Sequence, residues 1–114
     1  MKSRYIALLV APLFSTSVQA SSYTGPSVQP ENTVTAALEA DDDTPVVLQG
    51  HITQRLGNEM YEFKDASGQI TVEIDDEDLP TTSFDDKTQV RLIGEVDKNM
   101  IKREVDVDRV EIVQ

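Results

Sequence analysis

The chain has 114 residues, with 21 Asp and Glu against 10 Lys and Arg, a formal net charge of −11 and no cysteine. A chain of this length supports one domain with a modest core, and the lack of cysteine excludes disulfide bonds, thiol chemistry and cysteine-ligated metals. The acidic balance argues against nucleic-acid binding, because a phosphate backbone requires a basic surface. It favours neutral or cationic partners, or serves only to keep a monomeric protein soluble.

The first twenty residues are typical of a secretory signal peptide. Lys2 and Arg4 precede an apolar stretch over residues 5–14, and small residues end at Ala20, which predicts cleavage after that alanine. The stretch is shorter than the roughly 20 apolar residues of a membrane-spanning helix. We therefore expect an exported protein with no membrane span. It would begin at Ser21 and carry 8 basic and 21 acidic residues, a formal charge of −13.

Residues 21–31 are rich in Ser, Pro and Gly and are predicted to form a flexible leader. Residues 32–114 are predicted to form the folded domain. Within this domain, Thr33 offers an N-cap for a short helix from Val34 to Ala40. Pro45 cannot continue that helix and is suited to the start of a strand.

Alternation of apolar and polar residues with a period of two then predicts five strands. They are centred on residues 46–55, 61–63, 70–74, 90–96 and 105–112.

A meander of three strands, a polar connection and a hairpin is the strand order of an OB-fold barrel. We therefore predict a mainly β protein, a five-stranded OB-fold barrel whose one short N-terminal helix plugs a barrel end. Gly50 and Gly94 are predicted to permit sharp bends in the first and fourth strands. A slip in parity in the fifth strand predicts a β-bulge near Asp108.

Two turns have predicted roles. Between the first and second strands, Gly57 or Asn58 is predicted to adopt a positive φ. In the next turn, the Asp65 side chain is predicted to accept backbone N–H groups while Gly68 adopts the left-handed conformation. These roles maintain the turn itself, and we favour them over a ligand-binding tip.

The outer surface of the first three strands is the usual ligand face of an OB-fold. Here it has mixed charge, hydroxyls and amides without aromatic rings, which disfavours single-stranded nucleic acid and suits a polar glycan or peptide. Tyr61 and Phe63 have the opposite parity and are predicted to lie in the core. The candidate ligand-binding residues are Gln49, His51, Thr53, Arg55, Glu62, Lys64, Thr71 and Glu73.

No metal site, cofactor or catalytic group is predicted. The acidic clusters at residues 41–43 and 75–78 lack the spacing and the glycine of a calcium loop, so a solvated surface is favoured over a specific metal site. His51 is the single histidine, with no second metal ligand and no nucleophile placed beside it by spacing.

Two segments carry a recurring pattern. The first, residues 46–79, contains Tyr61, Phe63, Asp65, Gly68, Ile70, Val72, Ile74 and Asp75, and the second, residues 90–113, contains Gly94, Glu95, Val96, Asp97, Lys98, Val105, Asp106 and Val107. Both resemble the bacterial OB-fold family BOF, the YgiW/YdeI stress-tolerance proteins. The chain departs from the family pattern in lacking tryptophan, since Leu79 and Met100 stand where that family often carries aromatic residues.

The resemblance implies a non-enzymatic periplasmic protein with a role in envelope stress tolerance. It implies a binding module whose ligand is a peptidoglycan fragment, a cationic peptide or another small polar molecule. Two alternatives remain open. One is a regulator that binds an envelope protein through an exposed edge strand, and the other is a weak divalent-cation buffer that uses the acidic clusters.

Overall fold

The computed structural model describes residues 23–114, so the predicted signal peptide lies outside the described residues. Within this range, no helix is long and apolar enough to cross a membrane. The elements are a helix α1 (Val34–Leu38) and strands β1 (Pro45–Gly57), β2 (Met60–Asp65), β3 (Gly68–Ile74), β4 (Val90–Lys98) and β5 (Arg103–Ile112), with one 3-10 turn at Asp76–Asp78 between β3 and β4.

The five strands close into a barrel in the order β1-β2-β3-β5-β4. All neighbouring pairs are antiparallel except β3 and β5, which run parallel over Val72–Ile74. The predicted fold class, a five-stranded OB-fold barrel, is therefore confirmed. Its connection between β3 and β4 carries only the short 3-10 turn.

The first strand changes partners at Gly50, which confirms the predicted bend. Residues up to Gly50 pair with β4, and residues from His51 onward pair with β2. A Cβ atom at this position would collide with the carbonyl oxygen of Lys64 and lie 3.0 Å from the ring of Phe63. Glycine is required here because the β2 backbone approaches so closely.

The predicted bulge in the fifth strand is also confirmed. Ile93 pairs with Arg109 and Gly94 pairs with Val107, which leaves Asp108 as the extra residue. A Cβ atom on Gly94 would collide with the carbonyl oxygen of Asp106. Gly94 therefore allows β4 and β5 to approach closely at the bulge.

The helix α1 covers the end of the barrel next to β3 and β5. Thr33 is its N-cap, because Thr33 Oγ1 accepts a hydrogen bond from Ala36 N at 3.1 Å. The helix ends at Leu38, two residues earlier than predicted. Its inward residues join apolar residues from all five strands in the core, which consists of Val34, Ala37, Val46, Leu48, Ile52, Tyr61, Phe63, Ile70, Val72, Ile74, Val90, Leu92, Val96, Val105, Val107 and Val110.

The predicted positive φ angles fall on different residues. No glycine among residues 23–114 has a positive φ, and the non-glycine residues that do are Asp43 (66°) and Glu59 (61°). The prediction for Gly57 or Asn58 is wrong, because β1 continues through Gly57 and pairs it with Met60. The positive φ therefore falls on the second residue of a two-residue turn, Glu59.

The prediction that Gly68 is left-handed is also wrong, because the Asp65 carboxylate holds the turn. Asp65 Oδ1 accepts from Ser67 N (2.8 Å) and Gly68 N (3.1 Å), and Oδ2 accepts from Val34 N at the start of α1 (2.9 Å). Burial raises the pKa of Asp65, but the hydrogen bonds from Ser67, Val34 and Gly68 outweigh it and hold the pKa below its ordinary value. The turn and the helix thus share one carboxylate, which confirms the predicted role of Asp65.

Candidate functional site

A groove runs along the outer side of β1, beneath the loop of residues 84–89. It consists of two connected concavities of about 540 Å³ and 330 Å³ that share Thr53 and Asp86, and we call it the β1 groove. The larger concavity is lined by Gln49, Gly50, His51, Thr53, Lys64, Asp65, Ala66, Asp86, Lys87 and Gln89, and the smaller by Ile52, Thr53, Gln54, Arg55, Tyr61, Phe84, Asp85 and Asp86.

The larger concavity carries polar side chains and both signs of charge. His51 and Lys64 face each other across β1 and β2, and the amides of Gln49 and Gln89 line the same space. Within residues 23–114, Lys64 takes part in no ion pair. This end of the groove therefore offers an available ammonium group, an imidazole and two amides to a polar ligand.

The smaller concavity is lined in part by two aromatic side chains. The guanidinium carbon of Arg55 lies 5.5 Å from the centroid of the Tyr61 ring, and Phe84 from the loop lines the same space. Tyr61 is otherwise a core residue with 7% exposure, so only its rim is accessible. The sequence signal that could have identified Phe84 as a site residue is its aromatic side chain in the otherwise polar connection between β3 and β4.

A second bulge explains the placement of Arg55. Ile52 pairs with Phe63 and Gln54 pairs with Glu62, so Thr53 is an extra residue on β1. The parity of β1 shifts there, and Arg55 lies opposite Tyr61 rather than on the face of Glu62. The simple alternation used to predict its position fails at this bulge.

The predicted ligand face is therefore divided. Gln49, His51, Thr53 and Lys64 line the larger concavity of the β1 groove, and Arg55 lines the smaller one. Two other candidates, Glu62 and Thr71, line a separate depression of about 320 Å³ beside α1. The remaining candidate, Glu73, lies among carboxylates at the far end of β3.

Those carboxylates form a row across three strands. Glu73 on β3 pairs with Asp106 on β5, and Asp106 pairs with Glu95 on β4, so three acidic side chains lie side by side. We call Glu73, Asp106, Glu95 and the adjacent Asp108 the acidic row. Like charges placed directly opposite each other destabilise a sheet.

Burial and this repulsion together raise the pKa values of three members of the acidic row. Burial and the Asp106 charge raise the pKa of Glu73, and burial and the Asp108 charge raise that of Asp106. Burial, a hydrogen bond with Asp108 and its charge raise the pKa of Glu95 to about 7. Glu73, Glu95 and Asp106 therefore retain their protons to higher pH than isolated carboxyl groups do.

One end of the row forms a candidate cation site. One carboxylate oxygen from each of Glu59, Glu73 and Asp75 lies within 4.8 Å of the other two. The pairing of Met60 with Glu73 brings the β1–β2 turn to the end of β3, which spacing along the sequence does not reveal. Of the predicted acidic clusters, Asp75 joins this group, whereas Asp42 accepts a hydrogen bond from Lys98 N at 2.8 Å.

The barrel topology defines a protein of the OB-fold class. Residues 10–112 match the model of the family described as "Bacterial OB fold (BOF) protein". The chain therefore belongs to the BOF family, which confirms the resemblance noted in the sequence.

Two relatives support this assignment. The chain is 53% identical to the calcium-regulated OB-fold protein CarO of Pseudomonas aeruginosa strain PAO1 over 116 residues, which covers 100% of both chains. It is 41% identical to protein YgiW of Escherichia coli K12 over 78 residues, which covers 68% of this chain and 60% of YgiW.

Solved structures agree with the fold. The structure of YgiW from E. coli matches with a TM-score of 0.70 and 38% identity, covering 80% of this chain and 97% of that one. A chain of the Schizosaccharomyces pombe Stn1–Ten1 complex matches with a TM-score of 0.59 and 18% identity, covering 79% and 80% of the two chains. This second match shows the fold alone.

Proposed function

We propose that the protein is exported to the periplasm and acts there, without catalysis, as a binding protein in envelope stress tolerance. Its ligand is a peptidoglycan fragment held in the β1 groove. The observation that carries this proposal is the adjacency of the two concavities of the groove, since Thr53 and Asp86 line both of them. The signal-peptide pattern of residues 1–20 supports export.

The chemistry of the groove suits a sugar joined to a short peptide. A sugar ring presents an apolar face that can pack on the rims of Phe84 and Tyr61, while its hydroxyls reach Thr53 and the neighbouring amides. Carboxylates of the peptide would pair with Lys64, and Arg55 offers a second cation at the aromatic end. The two concavities together are large enough for a ligand of this kind.

Calorimetry with a soluble muropeptide tests the proposal. The chain from Ser21 onward should give saturable heat, and the Phe84→Ala and Lys64→Gln variants should each weaken the affinity about tenfold. Thr71→Ala is the matched control, because Thr71 lies in the separate depression beside α1. Heat that is absent, or equal in all four proteins, would contradict binding in the β1 groove.

A second candidate function is divalent-cation binding by Glu59, Glu73 and Asp75. Two observations favour it: the three carboxylate oxygens lie within 4.8 Å of one another, and the relative from P. aeruginosa is named for its regulation by calcium. Calcium prefers carboxylate oxygens and requires six to eight ligands, so water would complete the shell.

A calcium titration separates this candidate from the first. If the cluster binds calcium, saturable heat should appear in the wild-type chain and disappear in Glu73→Gln, with muropeptide binding unchanged in that variant. Asp86→Asn is the control, because Asp86 is an exposed loop carboxylate outside the cluster. Equal calcium binding by wild type and Glu73→Gln would eliminate this site.

A further inference from the structure

The tip of the β4–β5 hairpin exposes two large apolar side chains side by side. Met100 is fully exposed and Ile101 is 91% exposed, more than any other large apolar residue among residues 23–114. Exposed apolar residues that occur singly need no explanation, but an adjacent pair at the end of a projecting hairpin forms a contact surface. In the sequence, Met100 stands out only as a departure from the family pattern.

The turn that carries this pair satisfies much of its own backbone. Asn99 Oδ1 accepts from Ile101 N at 2.8 Å and from Lys102 N at 3.0 Å, and Asn99 N donates to Lys102 O at 3.0 Å. Water is therefore not needed to satisfy these groups. This matters because a backbone group left unsatisfied is costly in an apolar environment.

The sign of the charge changes at this tip. Lys98, Lys102 and Arg103 lie within six consecutive residues that contain no acid, although only eight basic residues follow Ala20 in the whole chain. Lys102 Nζ neutralises the nearly buried Glu104 at 2.8 Å, and Lys98 forms no ion pair within the described residues. Asp97 and Asp42 lie beside Lys98 at the base of the tip, and it is the basic groups beyond them, around the apolar pair, that suit an anionic partner.

We propose that the hairpin tip, residues 98–103, docks the protein onto an anionic lipid surface. Met100 and Ile101 enter the interfacial region of the bilayer, and the Lys98 ammonium remains among the headgroups at the base of the tip. An apolar pair bordered by basic groups fits this surface better than a wholly apolar protein pocket. Glu95, the member of the acidic row on β4, lies three residues from Lys98, roughly 10 Å along the strand, so salt reduces its repulsion of the bilayer.

This orientation leaves the β1 groove accessible. Gln89 at the groove and Asn99 at the tip flank the nine residues of β4, so the strand places them roughly 30 Å apart. A protein docked by its tip would therefore present the groove to the solvent. The inference does not depend on what the groove binds.

Vesicle co-sedimentation tests the proposal with the chain from Ser21 onward, which keeps every core residue of the barrel. With vesicles of phosphatidylcholine and phosphatidylglycerol, we expect a partition coefficient on the order of 10³ M⁻¹, weaker than a single myristoyl chain confers. The double variant Met100→Ser, Ile101→Ser should reduce it at least tenfold. Lys98→Gln should reduce binding to these vesicles severalfold and leave binding to pure phosphatidylcholine vesicles unchanged.

Leu56→Ser is the matched control, because Leu56 is half exposed in β1 and lies outside the tip. It should sediment as the wild-type chain does. The proposal is overturned if wild type remains in the supernatant at millimolar lipid, or if the double variant binds as strongly as wild type. If the double variant melts at a lower temperature than wild type, its weaker binding does not by itself support the proposal, and the Lys98→Gln variant decides. The proposal is also overturned if Lys98→Gln binds both vesicle types as strongly as wild type does.

Discussion

The carboxyl group of Asp108 on β5 lies close enough to that of Glu95 on β4 for a hydrogen bond between them, and this proximity raises the pKa of Glu95. Asp108 is available for this contact because it is the extra residue of the β5 bulge. Glu95 also faces Asp106 across β4 and β5. A local irregularity of one strand thereby helps to raise the pKa of a residue on the neighbouring strand.

This pair predicts that the protein becomes less stable as the pH rises through neutrality. The pKa of Glu95 is about 7 in the folded protein against 4.5 ordinarily, because of burial, the Asp108 hydrogen bond and the charges nearby. The resulting stability is fully present below pH 4.5 and is lost as the pH rises through about 7. Thermal unfolding followed by circular dichroism should give a melting temperature that falls between pH 5 and pH 8.

Glu95→Gln isolates the source of this pH dependence. The amide can still hydrogen-bond Asp108 but carries no titrating charge, so the melting temperature should change much less over the same range. Glu62→Gln is the control, because Glu62 lies on β2 outside the acidic row. A wild-type melting temperature that is constant or rises between pH 5 and pH 8 would contradict the raised pKa of Glu95.

The close approach of two strands predicts that Gly50 cannot be replaced. Gly50→Ala should lower the free energy of unfolding by about 3 kcal/mol, because the added carbon would collide with the Lys64 carbonyl oxygen and force the strands apart. Gly57→Ala is the matched control in the same strand, since no atom lies within 4 Å of its added carbon. Urea denaturation measures both, and equal stability of the two variants would show that β1 does not bend as described.

The carboxylate shared by the turn and the helix predicts that Asp65 is a structural residue. Asp65→Asn should cost about 1 to 2 kcal/mol of unfolding free energy, because an amide oxygen cannot replace both oxygens that accept backbone N–H groups. Asp86→Asn, in an exposed loop position, should be neutral. Urea unfolding with unchanged midpoints in both variants would remove the proposed link between the turn and α1.

Much of the fold could be predicted from local pattern. Alternation placed Tyr61 and Phe63 in the core, and the parity slip placed the bulge at Asp108. The bulge at Thr53 gave no comparable signal, because the polar residues that follow it on β1 are exposed on either parity. The prediction that Arg55 shares a face with Glu62 was consequently wrong.

The site was less predictable because it depends on contacts between distant segments. Phe84 lines the same concavity as Tyr61 because the loop that carries it passes there, and no periodicity in the sequence specifies the course of that loop. The acidic row arises from the parallel pairing of Glu73 with Asp106, which belong to strands separated by β4 in the sequence. Spacing along the chain identifies candidate residue types, whereas strand register decides which of them meet.

The most direct test of the central claim is a two-dimensional NMR titration of the chain from Ser21 onward with a soluble muropeptide. We expect saturable shifts at the amides of Gln49, His51, Lys64 and the loop of residues 84–89, with the amides of Thr71 and Asp106 unmoved. Shifts confined to the acidic row or to the depression beside α1, or no saturable shift, would contradict ligand binding in the β1 groove.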